Sequence, residues 1–179
     1  MLKSVLAGVV LTFVLLFAAA FALVESGSIP ANADAPPGRI ETWIASTSLN
    51  ATLDRAAPKE PNPVALTDEN LVAGVHLFAQ NCAVCHGDAR GLPAASPIAR
   101  GLYQNPPQMA TDGVEDDSDG MSFWKIKHGI RLTGMPSFAS TLSDKEIWTL
   151  ALFLKHMDKL PPAPKHAWEE VRNWPLGSR

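Results

Sequence analysis

The residues of this chain best suited to chemistry stand together: Cys82-Ala83-Val84-Cys85-His86. They include both cysteines of the 179-residue sequence. Two thiols spaced by two residues and followed at once by an imidazole make C-x-x-C-H, the attachment signature of c-type haem. The spacing has a mechanical basis. One helical turn lets the two thiols reach two vinyl groups along one side of a porphyrin, and the histidine then turns under the ring to offer a nitrogen to iron. Two other chemistries use similar residues. A thioredoxin-like redox pair needs a βαβ setting, and no segment here alternates like a strand. A zinc site needs four ligands, and no second C-x-x-C or H-x-x-x-H accompanies the first. The motif therefore reads as one haem c, attached through Cys82 and Cys85, with His86 as an iron ligand.

The sixth ligand would decide what such an iron does. Met135 lies in Thr133-Gly134-Met135-Pro136, 49 residues beyond His86. Gly134 permits close backbone approach and Pro136 stiffens the exit. A thioether placed there favours Fe(II) and raises the reduction potential. Met109 follows a Pro-Pro pair, Met121 opens a helix, Met157 falls on the last helix and Met1 is the start; these read as packing or surface. His76 and His156, on helices, read as surface residues. His128 precedes a helix-ending glycine, where a cation suits the dipole.

These residues need elements to hold them. Thr67 with Asp68 and Glu69 predicts a helix start, and Leu71, Val75 and Phe78 share one face up to about Asn81. A long irregular stretch runs from Gly87 to Gly120 with Pro93, Pro97, Pro106 and Pro107. A loop of that length needs something other than secondary structure to organise it, and a haem would supply the missing apolar bulk. Met121 to His128 predicts a short helix ended by Gly129. Ser143 and Glu146 form a capping box for a last helix to about Lys159, with Ile147, Leu150, Ala151 and Leu154 as its stripe and Pro161-Pro162 as its stop. Residues 67–160 thus read as an all-α domain of about three main helices. Trp124 and Trp148 read as core or pocket walls. Trp168 and Trp174 sit in the tail 161–179, which would pack back on the domain or onto a partner subunit.

Upstream, Ser4 to Val24 holds 21 uncharged residues, about 30 Å as a helix and so bilayer-spanning. Residues 1–24 read as a transmembrane anchor. The competing reading is a signal cleaved after Ala31-Asn32-Ala33. Both readings export everything after Glu25, with Lys3 inside. Export suits covalent haem attachment, which takes place outside the cytoplasmic membrane. Residues 25–66, with six prolines, read as a tether. Within it, 39–55 is proline-free, and Ile40, Trp43, Ile44, Thr47 and Ala51 follow helical spacing. That stripe has two readings: a helix lying on the membrane surface, or a linker helix packed on its own domain or a partner. Net charge is −3 from 15 basic and 18 acidic residues, which argues against nucleic-acid binding. The acidic run Asp112, Glu115, Asp116, Asp117 and Asp119 matches no ordered calcium loop and reads as a solvated loop.

CAVCHG followed by TGMPSF, over residues 67–160, resembles class I monohaem cytochrome c in its membrane-anchored bacterial form. The stretch Phe123 to Arg131 is similar to the segment before the ligand methionine in anchored members. The resemblance implies a close crossing of the first and last helices, with Gly74 and Phe78 against Leu150 and Phe153. It also implies a proline whose carbonyl accepts the N–H of His86, for which Pro97 is the candidate and Pro93 the alternative. It implies a His86/Met135-ligated haem c that transfers single electrons and performs no catalysis of its own. The resulting expectation is a single-pass protein of the bacterial cytoplasmic membrane with its haem domain in the periplasm. A periplasmic dehydrogenase or quinol-oxidising complex would be its donor, and a terminal oxidase or reductase its acceptor. The alternatives are a fixed subunit of a larger dehydrogenase or oxidase complex, and a ligand-binding or peroxidatic haem protein with an open iron.

Overall fold

Leu2–Glu25 forms one continuous helix, α1. It is long and apolar enough to cross a membrane, and none of it is buried. The computed structural model describes residues 2–91 and 96–171. Among these there are helices and no strands, so the all-α expectation holds. Chain packing separates a unit 1–35, which contains α1, from a unit 36–179, which contains every other helix.

The second unit is built on a crossing of two helices. α3 (Asp68–Asn81) starts at Thr67, whose hydroxyl accepts the Asn70 N–H. α8 (Asp144–His156) starts at the Ser143–Glu146 capping box, and a 3₁₀ turn, Met157–Lys159, follows it. The two helices meet at Gly74, where an added Cβ would lie 2.5 Å from Phe153 Cβ and 2.9 Å from the Thr149 carbonyl oxygen. Only a residue without a side chain allows that approach. Phe78 then meets Phe153 edge-on at 5.7 Å, with Leu150 and Val75 fully buried beside them. α7 (Asp119–His128) is capped by Ser118 and packs on α8, where Phe123 stacks on Trp148 at 4.2 Å.

The tail contributes to this core. Pro162–Glu170 is a helix, α9, with prolines in its first turn. Pro161-Pro162, read from sequence as a stop, is also a start, because the fixed φ of proline suits the first helical position. α9 delivers Trp168 edge-on to both Phe78 and Phe153, at 5.3 and 5.4 Å, so this tryptophan packs back on its own domain. Trp174 lies outside the described residues.

Packing begins upstream of residue 67. α2 (Arg39–Ala56) buries Leu53, and Ala57 is buried just after it. Asn62 donates to the Trp148 carbonyl and accepts from the Val64 N–H, which sets Val64 against Leu71 and Leu152. The stretch after Gly87 holds short helical turns: α4 (Ala83–His86) just before it, then α5 (Pro97–Arg100) and α6 (Met109–Asp112). The acidic segment is fastened to the domain. Lys155 Nζ donates to the carbonyls of Glu115 and Asp117, and Lys125 pairs with the Asp117 carboxylate at 2.6 Å.

Candidate haem site

Cys82 ends α3 and leads into α4. The N–H groups of Cys85 and His86 both donate to its carbonyl, at 3.0 and 2.9 Å. This single tight turn carries the whole motif. Gly87 closes it at φ +79 with its Cα against Gln108, since an added Cβ would lie 2.5 Å from Gln108 Oε1. A cleft of about 300 Å³ opens beside the turn. Cys82, Cys85, His86 and Met135 all line it, and Leu102, Ile126, Ile130 and Phe138 supply apolar walls.

The protonation states fit a ligand set for haem. His86 Nδ1 lies 2.9 Å from the Pro107 carbonyl oxygen. A carbonyl can only accept, so Nδ1 carries the proton and Nε2 keeps the lone pair that iron would need. Burial lowers the imidazole's proton affinity, and the bond to Pro107 offsets this only in part. Burial also pushes the Cys82 thiol up to about 12 and raises that of Cys85. The S–H form is the one that adds across a vinyl group, and burial favours it at both sulfurs. Among the described residues no three His, Cys, Asp or Glu side chains gather to hold a metal ion, which leaves the zinc reading without a ligand set.

Met135 is presented by a loop closed on itself. Gly129 ends α7 at φ +68, and the N–H of Ile130 donates to the Met135 carbonyl at 3.2 Å. Thr133 Oγ1 donates to the Ile130 carbonyl and accepts from the Met135 N–H. Gly134 packs directly against the Leu102 side chain, and an added Cβ would lie 2.5 Å from Leu102 Cδ2. The other described methionines do not line this cleft; Met109 and Met157 are buried in the core. His76 is exposed on α3, and Trp124, half-buried, lies 4.9 Å from the His128 ring.

The expected proline partner of His86 is corrected. Pro97 is the first residue of α5, and its carbonyl accepts the Gly101 N–H at 3.2 Å. Buried Ser96 holds that segment elsewhere, donating to the Val84 carbonyl and capping α5 through the Ala99 N–H. Pro107 takes the role instead; Pro93 lies outside the described residues. Two further residues of the site carried no motif. Gln108 is buried, and its Nε2 donates to the carbonyls of Cys85 (2.9 Å) and Pro106 (3.1 Å). It thereby ties the motif turn to the proline loop. Asp88 is fully buried two residues past His86 and is gripped by the Arg90 side chain. The Pro-Pro-Gln run was the only signal for the first, and nothing marked the second.

Residues 69–154 match the family model described as cytochrome C oxidase, cbb3-type, subunit III. No curated protein matches the chain significantly. Among solved structures, a chain of the Kuenenia stuttgartiensis reducing HAO-like protein complex Kustc0457/Kustc0458 aligns at 24% identity and a TM-score of 0.43. That alignment covers 57% of this chain and 52% of the other, about half the length of each. Residues 69–154, which carry the C-x-x-C-H turn, the Pro107 loop and Met135, form a c-type cytochrome domain.

Proposed function

We propose that this chain is a membrane-tethered electron carrier in which Cys82 and Cys85 hold one haem c and His86 and Met135 ligate its iron. The observation that carries the reading is the convergence of all four side chains on one cleft, with His86 Nδ1 committed to Pro107. Haem c, when bound, supplies a one-electron Fe(III)/Fe(II) couple. The residues of the chain do the rest. Each of the two thiols would add its S–H across one vinyl group to form a thioether. Pro107 fixes the tautomer and orientation of His86. Met135 would offer the iron a neutral, polarisable sulfur that favours Fe(II). Leu102, Ile126, Ile130 and Phe138 line the cleft with apolar surface that would keep water from a bound haem.

α1 would hold the domain at the outer face of the cytoplasmic membrane, in the periplasm. There it would take electrons from a dehydrogenase or quinol-oxidising complex and pass them to a terminal oxidase or reductase. Tethering raises the effective concentration of such fixed partners. A second reading, a permanent subunit of a larger complex, is favoured by the family model, whose description names an oxidase subunit.

The test is the visible to far-red spectrum of oxidised and reduced protein, for wild type and Met135→Leu. A low-spin wild type with a weak far-red sulfur-to-iron band that the variant lacks is the expected result. A high-spin wild type that takes up carbon monoxide would overturn it. Purification in mild detergent separates carrier from subunit by whether partners remain bound.

A further inference from the structure

Helix α2 carries two apolar faces. At 100° per residue, Leu49, Thr52 and Leu53 centre about 180° from Ile40, Trp43 and Ile44. The first set turns to the domain: Leu49 and Thr52 are half-buried and Leu53 is 3% exposed. The second set stands in solvent at 75%, 67% and 54% exposure, and Thr47 and Ala51 on the same side are exposed too. One face holds the helix to the domain. The opposite stripe contributes nothing to the fold.

Two observations say what covers it. Thirteen residues separate the end of α1 from the start of α2, a span of at most about 45 Å when fully extended. A bilayer crossed by α1 is therefore within reach of α2. The stripe also has interfacial chemistry, because the amphipathic Trp43 ring lies between two exposed isoleucines. The first turn of α2 is coupled to the site as well. The Tyr103 hydroxyl donates to Glu41, and Tyr103 stands between Leu102 and Gln104, which line the cleft.

We propose that the Ile40–Trp43–Ile44 face lies in the headgroup layer of the membrane that α1 spans, making α2 a strut that fixes the attitude of the haem cleft to that membrane. This rests on the anchor reading of α1 given above, and deepens it.

The experiment uses the full-length holoprotein in lipid nanodiscs. A photoreactive benzoylphenylalanine replaces Trp43, and in separate samples Phe13 of α1 or the exposed His76 of α3. The expected result is lipid adducts at 13 and 43 and none at 76. The double variant Ile40→Ser/Ile44→Ser should lose the adduct at 43 while keeping the wild-type haem spectrum, which shows that the fold survives. Lipid at 13 alone overturns the strut and leaves the anchor standing. A protein adduct at 43 also overturns it, in favour of a protein-binding face. Equal lipid adducts at 43 and 76 overturn it as unspecific contact. Lipid at neither 13 nor 43 sinks anchor and strut together.

Discussion

Gly129 and Met135 are fitted backbone to backbone: a Cβ on Gly129 would lie 2.7 Å from the Met135 carbonyl oxygen and 2.6 Å from the Pro136 carbonyl carbon. The glycine also holds φ +68. Two demands that only glycine meets thus fall at the hinge from which the methionine loop hangs.

Gly129→Ala should therefore do more than strain one dihedral. With ψ −176 the glycine occupies an extended, positive-φ backbone region essentially reserved for glycine, which costs an alanine about 1–3 kcal/mol, and the new methyl must push the Met135 backbone away. The expected outcome is a clear drop in the denaturation midpoint together with a weakened far-red sulfur-to-iron band. Gly134→Ala makes the contrast. Its Cβ meets the end of the Leu102 side chain, which can rotate, so the band should survive. Equal spectra for the two variants would show that the Gly129 contact does not govern Met135.

Gln108 invites a different substitution. Its two donated bonds join Cys85 and Pro106, one on each side of the His86–Pro107 contact, and its Oε1 is buried without a partner. Gln108→Leu keeps the bulk and removes both donors. Losing two part-buried hydrogen bonds costs about 0.5–1.5 kcal/mol each. Loosening the Pro107 carbonyl should also make His86 a poorer electron donor, which destabilises Fe(III), so the reduction potential should rise. A loss of stability with an unchanged potential would confine Gln108 to packing.

Trp168 sets a third expectation. It touches both Phe78 and Phe153 edge-on at the point where Gly74 lets α3 and α8 cross. Trp168→Ala should cost about 3–5 kcal/mol as a large aromatic lost from a core. Gly74→Ala should cost about 1–3 kcal/mol by overpacking. Urea titration of the holoprotein measures both. A change below 1 kcal/mol for Trp168→Ala would mean that α9 is dispensable to the domain.

That crossing shows what a sequence discloses and what it conceals. Phe78 and Leu150 were legible from helical periodicity, whereas Gly74 and Phe153 were named only by the family resemblance. The C-x-x-C-H turn was legible because its chemistry depends on local spacing. Trp168 was only half legible, since prolines both end and begin helices and the choice depends on what the next turn can bury. Pro107 was missed for a related reason. Four prolines shared one irregular stretch, and the one free to accept from His86 is decided by where the others' carbonyls go. Pro97 spends its carbonyl on Gly101, a fact of three-dimensional routing that no local pattern records. Gln108 and Asp88 are buried polar residues whose partners lie on other turns, so periodicity had nothing to say of them.

The start of α8 yields a pH prediction. The Ser143 N–H and hydroxyl both donate to Glu146 Oε2, at 2.8 and 2.6 Å. The hydroxyl first, then the backbone, hold the Glu146 carboxyl below its ordinary value of 4.5. A carboxyl lowered by folding binds protons more tightly in the unfolded chain. Its stabilisation is therefore fully present above the unfolded value and is lost as the pH falls through the lower folded one. Ser143→Ala removes the hydroxyl that accepts the Glu146 N–H and donates to its carboxylate. At neutral pH the loss of such a cap costs about 1 kcal/mol. The gap between variant and wild type should narrow as the pH falls below 4.5, because protonated Glu146 no longer rewards the serine. Urea titrations between neutral and acid pH measure that gap. A gap of constant size throughout would mean that the capping hydroxyl stabilises α8 through the backbone alone.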